Sequence, residues 1–460
     1  MSPLDNSDSR PVHFVGIAGA GMRALAELLA RRGVIVTGCD ANPGSTDDLA
    51  ELGIEVITGH DPNHVDGARE VIVTSAMPKD HPEVARAREL GIPIVRRAEA
   101  LGQAVAGGKL VGIAGTHGKT TTTVMTTAAL SAAGLRPTGL AGGRVAEWKG
   151  NLHYDSDQLF VVEADEYDRS FLTLSPTIAV VTNVEADHLD IYRDLDDITS
   201  TFSRFVREAA VVVLCADDAG ASSVGLPASA EVVRYGITSR DARLVASDIR
   251  STGHATTFAV AYDGSPLGEV ALRVPGHHNV QNSLAAIGSG LALGVSLDAM
   301  RDGLLQFGGV ERRFQRLCDV AGVTIVDDYA HHPTEIVATL QAARSSYPDR
   351  RIIAAFQPHL FSRTRDFADA FGQALAKADC VFLAEIYPAR EKPIAGITSD
   401  LVAAATERAG RKVAWQGPRK ELAAALYAFT RDGDVVITIG AGDITRTGPE
   451  LREQLEARPK

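Results

Sequence analysis

Short apolar runs alternate along the chain with longer stretches in which apolar residues recur at helical spacing. In the first hundred residues this pattern predicts strands at 12–15, 34–40, 56–60 and 71–78, and a helix at 81–90. The first strand leads into a glycine turn and an amphipathic helix that ends at Gly33. Such an alternation of strands and helices is typical of a parallel sheet covered by helices.

The same alternation continues in two further blocks. The second block predicts strands at 110–114, 159–165, 177–190 and 211–218, short strands across 231–274, and helices at 119–133 and 279–294. The third predicts strands at 323–327, 351–356, 380–385 and 434–439, and helices at 333–347, 364–377, 399–409 and 419–430. We therefore predict an α/β protein with three domains in series. They are a Rossmann-like N-terminal domain (1–107), a central P-loop ATPase-like parallel-sheet domain (108–312) and a C-terminal Rossmann-like α/β domain (313–460).

Composition narrows the class of protein. Hydrophobic residues make up 45% and charged residues 23% of the 460 residues, which is typical of a soluble α/β protein. A net charge of -12 argues against nucleic acid as a partner. The chain starts without an apolar signal segment, and no apolar run is long enough to span a bilayer. We therefore expect a cytoplasmic protein without membrane insertion. The four cysteines form no CxxC pair, so the sequence indicates neither a disulfide framework nor a cysteine zinc site.

The sequence LVGIAGTHGKTTTT, at 110–123, is typical of a strand, a glycine turn and the start of a helix. Backbone N–H groups and a lysine in such a turn surround a phosphate. The full Walker pattern would place a glycine where this chain has Ile113. We still expect a nucleoside triphosphate, with Lys119 on the outer phosphates and Thr120 on magnesium. The residues of this predicted site are Gly115, Thr116, His117, Gly118, Lys119, Thr120 and Thr121.

Acidic residues and a histidine follow the next two predicted strands. The carboxyl ends of parallel strands meet at one edge of a sheet, where ligands collect. We therefore expect Glu163 to lie opposite Thr120 as a magnesium ligand. His188 lies between Asp187 and Asp190 in the sequence, and we predict it to be a second metal ligand or an orienting base.

The N-terminal glycine turn has more than one interpretation. Gly19, Gly21 and Ala24 satisfy the dinucleotide pattern, and the acid Asp40 follows at the end of the next strand. The turn fits a nicotinamide or flavin site, a site for another diphosphate, or a strand–helix turn without a ligand.

Polar residues cluster after two strands of the third domain. The first cluster is Asp327, Asp328, Tyr329, His331 and His332, most of which can titrate or bind a ligand. After the next strand, His359, Arg363 and Arg365 could bind a carboxylate.

Two further pairs have alternative roles. Asn279 and Asn282, at the entry of a predicted helix, either cap that helix or match the edge of adenine. Arg312 and Arg313, near the predicted boundary with the third domain, are either surface charges or reach a phosphate.

Nine motifs along nearly the whole chain together resemble the Mur ligase family. They are HFVGIAGAGM (13–22), GTHGKTTT (115–122), EADEYDRSFL (163–172), EADHLDIY (185–192), PGHHNVQNSLAA (275–286), RRFQ (312–315), DDYAHHPTE (327–335), QPHLFSRT (357–364) and GAGDI (440–444). Nine motifs in one order are not expected by chance.

The resemblance implies an ATP-dependent amide-forming ligase of peptidoglycan synthesis, and thus of cell-wall biogenesis. Its implied substrates are UDP-N-acetylmuramate, L-alanine and ATP, with Mg²⁺ as the metal and Mn²⁺ as an alternative. A lactyl carboxylate would be activated as an acyl phosphate and then attacked by the amine. We expect a monomer or a weak homodimer.

The resemblance also implies roles for individual residues. The nucleotide sugar would lie against Gly19, Gly21, Met22, Asp40 and Ser75. ATP would contact Asn279, Arg313 and Asp328 in addition to the phosphate loop, and the metal would contact Thr120, Glu163 and His188. The amino-acid end would be formed by Tyr329, His332, His359 and Arg363. The implied catalytic residues are Lys119, Glu163, His188, His332 and Arg363.

Two departures from the family pattern limit this transfer. Several relatives that add later amino acids carry a modified lysine after the ADHLD-like segment, but this chain has no lysine between Lys149 and Lys377. In many alanine-adding enzymes an arginine follows the histidine of QPH, where this chain has Leu360. Arg363, helped by Arg365, would then bind more of the carboxylate.

Other functions stay open from the sequence. Within the family, a recycling ligase would attach a ready-made peptide to the same nucleotide sugar. Outside it, the N-terminal turn allows a nicotinamide-dependent oxidoreductase, and the whole chain could be a silent nucleotide-binding module. The oxidoreductase leaves GTHGKTT and Glu163 without a role.

Overall fold

The computed structural model describes residues 8–44, 46–74, 77–78, 80–189, 191–253, 255–389 and 391–458. The described residues form two compact units. The first unit draws on Met1–Ile249, Phe258–Ala271 and Val280–Phe307, and the second on Arg250–Thr257, Leu272–Asn279 and Gly308–Lys460.

The first unit begins with a five-stranded parallel sheet in the order β3-β2-β1-β4-β5. This sheet and its helices confirm the predicted Rossmann-like domain. Val15 at the end of β1 pairs with Cys39 of β2 and Val73 of β4, so these strands end at one edge. The elements are β1 (Val12–Val15), α1 (Ala20–Arg31), β2 (Val36–Asp40), α2 (Asp47–Ala50), β3 (Glu55–Thr58), a 3-10 helix (Pro62–Val65), β4 (Glu70–Val73), α3 (Pro82–Glu89), β5 (Ile94–Arg96) and α4 (Arg97–Val105).

A ten-stranded sheet follows, in the order β15-β14-β13-β12-β11-β10-β6-β9-β7-β8. Its first elements are β6 (Lys109–Ala114), α5 (Lys119–Ala132), β7 (Thr138–Val145), β8 (Gly150–His153), β9 (Leu159–Glu163), a 3-10 segment (Tyr167–Thr173) and β10 (Ile178–Val181). The remaining elements are α6 (Leu195–Val206), β11 (Val211–Cys215), α7 (Ala219–Ser222), β12 (Glu231–Gly236), β13 (Leu244–Thr252), β14 (Ala255–Tyr262), β15 (Ser265–Leu272), α8 (His277–Ala292) and α9 (Leu297–Gln306). β6 is flanked by β9 and β10, both parallel to it, so the phosphate loop leaves the interior of the sheet.

Three strand predictions in this domain were too long. The strand predicted at 159–165 ends at Glu163, the one predicted at 177–190 ends at Val181, and the one predicted at 211–218 ends at Cys215. The strand predicted at 177–190 ends early because the side chains of Thr182 and Asn183 form hydrogen bonds with the backbone of His117, in the loop after β6. The antiparallel pair β7 and β8 was missed.

The first two sheets pack together within one unit. The Arg32 guanidinium at the end of α1 binds the Asp157 carboxylate at 2.7 Å and the carbonyl of Ala104 at 2.7 Å. In α4, a Cβ built on Gly102 would lie 2.4 Å from the carbonyl oxygen of Thr173. Helices of the N-terminal sheet therefore contact the central domain directly.

The second unit contains a six-stranded sheet in the order β16-β17-β21-β18-β19-β20, in which only β16 is antiparallel. Its elements are β16 (Gln315–Val320), β17 (Val323–Asp328), α10 (Pro333–Ser346), β18 (Ile352–Phe356), α11 (Phe361–Leu375), β19 (Cys380–Ala384), α12 (Asp400–Arg408), β20 (Val413–Gly417), α13 (Arg419–Phe429), β21 (Val435–Ile439), a 3-10 helix (Asp443–Arg446) and α14 (Thr447–Glu456).

Both faces of this sheet are covered. Successive residues of β17 point to opposite faces, so Val326 packs in the core with Phe356 while Ile325 packs in the core with Phe382. A largely parallel sheet buried on both faces confirms the predicted C-terminal α/β domain. Among the described residues, no helix has the length and hydropathy needed to cross a bilayer.

Candidate functional site

The loop between β6 and α5 is held by the end of β10. Gly115 has a φ of 145°, and a Cβ built there would lie 1.9 Å from the Thr182 hydroxyl. The Asn183 side chain accepts a hydrogen bond from the His117 N–H at 2.7 Å and donates one to the His117 carbonyl at 3.1 Å. Gly118, with a φ of 80°, caps α5. Helix geometry leaves the first N–H groups of α5 without intrahelical acceptors, which is the arrangement that binds phosphate.

Lys119 is the central charge of this edge. Its ammonium donates to the carbonyl of Gly115 at 2.7 Å and to the carboxylate of Glu166 at 2.7 Å. Burial by itself lowers the pKa of Lys119, but Glu166 and Asp165 outweigh it and hold that pKa above its usual value. Burial raises the pKa of the Glu166 carboxyl to about 7, although Lys119 acts in the other direction. The lysine is therefore charged and held in place by a buried acid.

The structure brings Thr120 and Glu163 together, as their positions at neighbouring strand ends predicted. The Thr120 hydroxyl donates to one Glu163 oxygen at 3.0 Å, and the N–H of Gly142 donates to the other. A hydroxyl and a carboxylate are oxygen ligands of the kind that Mg²⁺ prefers. The two side chains therefore fit a magnesium ion.

His188 belongs to the same edge. Its Nε2 lies 3.9 Å from Glu166 and 3.8 Å from Asp187, and its ring meets that of Tyr167 edge to face. His188 has a φ of 53°, the left-handed region, which is uncommon for a residue with a Cβ. Glu166 thus lies between Lys119 and His188. The other acid of the motif, Asp190, lies outside the described residues.

The sequence did not assign a role in this site to Glu166 or Asn183, and it gave Asn282 a different one. Glu166 was quoted within the acidic motif without a role, and Asn183 was not singled out. Asn282 accepts a hydrogen bond from the Thr122 hydroxyl at 3.2 Å, and its Oδ1 would lie 2.6 Å from a Cβ built on Gly118. The side chain predicted to cap α8 or to match adenine therefore packs under the phosphate loop.

The N-terminal glycine turn lies between β1 and α1. Gly16 has a φ of 82°, and Gly19 caps α1. Asp40, at the end of the neighbouring β2, accepts hydrogen bonds from the N–H of Ala18 at 3.1 Å and of Asn42 at 2.9 Å. This carboxylate therefore fixes the backbone of the turn.

The other residues predicted to hold a nucleotide sugar are less informative. Gly21 faces Arg97, whose guanidinium would lie 3.0 Å from a Cβ built on the glycine. Arg97 is a cation beside the turn that the sequence did not single out. Met22 is buried in α1. Ser75 lies outside the described residues.

In the second unit, two buried acids end β17. Asp327 accepts hydrogen bonds from the hydroxyls of Thr438 and Thr445. Asp328 accepts from the N–H groups of Phe314 at 2.7 Å and Ala330 at 2.8 Å. Burial raises the pKa of Asp328 to about 6, with Arg313 acting against that rise. Asp328 thus anchors the turn that follows β17, while Asp327 ties the end of β17 to β21 and the 3-10 helix after it.

Tyr329 and its neighbours form the rest of this edge. The guanidinium groups of Arg312 and Arg313 lie 4.8 Å and 5.2 Å from the centre of the Tyr329 ring. His332 caps α10 and its ring meets that of Phe367 edge to face. The residues that follow β17 in the sequence therefore also lie in a spatial cluster of aromatic and cationic side chains.

Residues 277–279 lie at the start of α8. The Asn279 amide donates to the carbonyl of Pro275 at 2.7 Å, which closes the turn before the helix. Burial, followed by the charge of Arg313, lowers the pKa of the His278 imidazole to about 4. A helix cap would instead accept a hydrogen bond from a backbone N–H, so this contact does not test the capping alternative. The contact of Asn279 with adenine stays a prediction.

The predicted amino-acid end follows β18. The His359 ring stacks on Tyr387, with ring centres 5.8 Å apart. Leu360 is the N-cap of α11 and has a φ of 70°, while Arg363 is buried within the first turn of the helix. Arg365 instead points outward and pairs with Asp366. Of the two arginines considered for a carboxylate, only Arg363 is enclosed by the protein.

Three α/β sheets in series, with a lysine-bearing phosphate loop on the middle one, define a nucleotide-dependent enzyme. The chain belongs to the Mur ligase family. The family's catalytic domain matches residues 11–109, its middle domain 113–290, and its glutamate ligase domain 312–442.

Individual relatives match over nearly the whole chain. A UDP-N-acetylmuramate–L-alanine ligase of Salinibacter ruber is 42% identical over 453 residues, which are 97% of this chain and 95% of the relative. The same-named enzyme of Streptomyces avermitilis is 42% identical and covers 99% of both chains.

Solved structures agree with this assignment. The UDP-N-acetylmuramate-alanine ligase of Thermotoga maritima superposes with a TM-score of 0.83 at 29% identity, covering 97% of this chain and 99% of that one. A murein peptide ligase of Psychrobacter arcticus shares the fold, with a TM-score of 0.72 at 24% identity over 98% of this chain and 100% of that one.

Proposed function

We propose that this chain joins L-alanine to the lactyl carboxylate of UDP-N-acetylmuramate while ATP is converted to ADP and phosphate. A carboxylate oxygen attacks the γ-phosphorus, ADP leaves, and an acyl phosphate forms. The amine of L-alanine then attacks the acyl carbon, phosphate leaves, and the amine releases a proton. The product is an early peptidoglycan precursor.

One observation carries the proposal: the Lys119 ammonium is held by Glu166 at the N-terminus of α5, beside the Thr120–Glu163 pair. A triphosphate in the loop would take over this ammonium from Glu166. Because burial raises the pKa of Glu166 to about 7, the acid can accept a proton when the lysine turns to phosphate. Charge that develops on the transferred phosphoryl group is then met by a cation already in position.

Thr120 and Glu163 would hold a magnesium ion on the phosphates. When bound, the ion neutralises charge on the phosphoryl oxygens. His188, within 4 Å of two carboxylates, is our candidate for a further ligand or for orienting one.

We assign the carboxylate of the incoming amino acid to Arg363. The side chain is buried at the start of α11, and the preceding Leu360 offers no charge. His359 and His332 would line the same end. On the nucleotide side, we assign Arg313 and Asp328 to the phosphate and the ribose.

Phosphate release tests this proposal directly. The full-length chain is incubated with ATP, Mg²⁺ and UDP-N-acetylmuramate, with and without L-alanine, and the product is identified by mass spectrometry. We expect release only with both substrates, together with one amide product. Phosphate release that is indifferent to L-alanine would refute the proposal.

A parallel reaction separates the peptide-recycling alternative. L-alanine is replaced by a tripeptide that begins with L-alanine, at equal concentration. We expect kcat/KM for L-alanine to exceed that for the tripeptide. The reverse order would assign this chain to peptide recycling.

A further inference from the structure

Six side chains that can bind metals meet beneath the N-terminal sheet, outside the site described above. Glu83, in the first turn of α3, is surrounded by residues from β1, β2, the segment after β3 and the start of α3. This Glu83 cluster consists of Glu83, Cys39, His13, His60, His64 and His81.

Three ligand atoms of the cluster are nearly equidistant. The Cys39 sulfur lies 3.1 Å from Oε2 of Glu83 and 3.3 Å from Nδ1 of His60. Nδ1 of His60 lies 3.3 Å from the same Oε2 atom. In a tetrahedral zinc site, with bonds of about 2.0–2.3 Å, neighbouring ligand atoms are roughly 3.3–3.6 Å apart. The three atoms therefore already approach the face of such a tetrahedron.

Two further histidines offer a fourth ligand. Nδ1 of His81 lies 3.7 Å from Glu83, and a ring nitrogen of His13 lies within 4.8 Å of the ligand atoms of Cys39 and Glu83. Among the described residues, Nε2 of His13 and Nδ1 of His81 are both buried without a hydrogen-bond partner. His13 is fully buried and its Nδ1 is satisfied by the Thr37 hydroxyl. A buried nitrogen without a partner is unfavourable, and a metal bond would satisfy it.

The charges of the Glu83 cluster also favour the binding of a metal ion. Burial raises the pKa of Glu83, but hydrogen bonds from Cys39 and His64 outweigh it, so the carboxylate stays ionised. Burial lowers the pKa of His13 to about 4, which leaves this imidazole neutral. A buried carboxylate next to neutral nitrogen and sulfur ligands is a site for a divalent cation of intermediate softness.

We propose that the Glu83 cluster binds Zn²⁺ through Cys39, His60, Glu83 and one of the two histidines His13 and His81. On binding, the Cys39 thiol loses its proton to solvent, and the sulfur–zinc bond replaces its hydrogen bond to Glu83. His64 keeps its hydrogen bond to a Glu83 oxygen at 2.8 Å and orients the carboxylate. The candidate ligands are spread over four separate segments, so no CxxC pattern marks the site in the sequence.

Cobalt substitution tests the proposal on the full-length chain. Protein treated with a chelator is loaded with Co²⁺ in excess Mg²⁺, which occupies the triphosphate edge. We expect a thiolate-to-cobalt absorption band. In a parallel sample, elemental analysis should find about one zinc ion retained per chain. A wild-type chain without the band, or a band that Mg²⁺ abolishes, would overturn the proposal.

Variants locate the ligands. Cys39→Ser should remove the band and weaken Zn²⁺ binding at least about tenfold, whereas Cys215→Ser, at another buried cysteine of the same unit, should change neither. His60→Gln, at a side chain that is 25% exposed, tests the site if Cys39→Ser does not fold. A band that persists in Cys39→Ser, or affinity unchanged in His60→Gln, contradicts the proposal. His13→Gln and His81→Gln identify the fourth ligand, and four-coordinate binding is excluded if both leave affinity unchanged.

Discussion

The two glycine turns of the first unit share a backbone plan and differ in their chemistry. Each follows a buried parallel strand, contains at least one glycine with positive φ, and ends at the N-terminus of a helix. In the first turn, the neighbouring strand supplies Asp40, whose carboxylate accepts backbone hydrogen bonds. In the second, the neighbouring strand β9 and the segment after it supply Glu163 and Glu166, which hold side chains of the loop.

The acid at the first turn stabilises the backbone of that turn, whereas the acids at the second turn position side chains that a ligand would contact. The first turn carries no cation of its own, and Arg97 approaches it from α4. The second turn carries Lys119 within it and a hydroxyl next to it. One turn therefore suits the diphosphate of a nucleotide sugar, held by backbone N–H groups, and the other suits a magnesium triphosphate.

Removing the lysine should have the largest effect. Lys119→Met takes away the cation that meets the phosphoryl group, so we expect turnover to fall about 10³-fold or more. Binding of UDP-N-acetylmuramate, measured by calorimetry, should stay the same because we assign it to the other turn. Lys109→Met, at an exposed lysine on the opposite end of β6, is the matched control. Turnover within tenfold of wild type in Lys119→Met would show that the turns do not differ as described.

Adding one methyl group to each turn compares their backbones. Gly115→Ala would place its Cβ 1.9 Å from the Thr182 hydroxyl at a φ of 145°, so we expect a loss of about 3 kcal/mol or more in the free energy of unfolding. Gly19→Ala meets its nearest atom at 3.6 Å and should cost about 1 kcal/mol or less. Urea unfolding measures both. Equal losses would mean that the second turn is no more tightly built than the first.

Acid should weaken the sheet under the first turn. Burial of His13 in β1 lowers the pKa of its imidazole to about 4, from an ordinary value of about 6.5. In the unfolded chain, His13 therefore binds a proton below about pH 6.5, whereas in the folded chain it does so only below about pH 4. The free energy of unfolding falls as the pH drops through this window. The contribution is on the order of 3 kcal/mol at most. At the second turn, Lys119 stays charged throughout this range.

The measurement is urea unfolding of chelator-treated protein at pH 7 and pH 5. His13→Gln should reduce the loss at pH 5. It should not abolish it, because His278 also has its pKa lowered to about 4. An unchanged pH dependence in His13→Gln would indicate that His13 is already protonated in the folded chain at pH 5.

The smallest effect concerns the hydroxyl beside the lysine. Thr120→Val keeps the shape of the side chain but removes the donor to Glu163, so the Mg²⁺ concentration needed for half-maximal turnover should rise about tenfold. Thr123→Val, one turn further along α5, is the control, because the buried Thr123 hydroxyl has no hydrogen-bond partner among the described residues. Equal magnesium dependence in the two variants would remove Thr120 from the metal site.

Much of this fold could be predicted from the chain. The strand at 110–114 and the helix from 119 follow from an apolar run, two glycines and a change of periodicity, and the structure confirms them. The hairpin of β7 and β8 was missed because its glycine-rich first strand has no clear alternation. The end of β10 was missed because it is set by contacts with a loop some 65 residues earlier in the sequence.

The same limit applies to the candidate site. Glu163 could be placed because it ends a strand next to β6. Glu166 lies in an irregular segment in which Asp168 and Arg169 adopt left-handed conformations, so no period shows which carboxylate faces inward. Its burial depends on Lys119, 47 residues away. The Glu83 cluster was hidden for the same reason, since its members meet only after four segments have packed.

The contacts of Arg32 and Gly102 with the central domain also constrain how this protein can be divided. The N-terminal sheet and its helices pack against the ten-stranded sheet, so residues up to 107 cannot be exchanged as an independent domain. A chimaera that exchanges this segment with a distant relative must also match Asp157 and the carbonyl of Thr173. The first two domains are therefore best engineered as one piece.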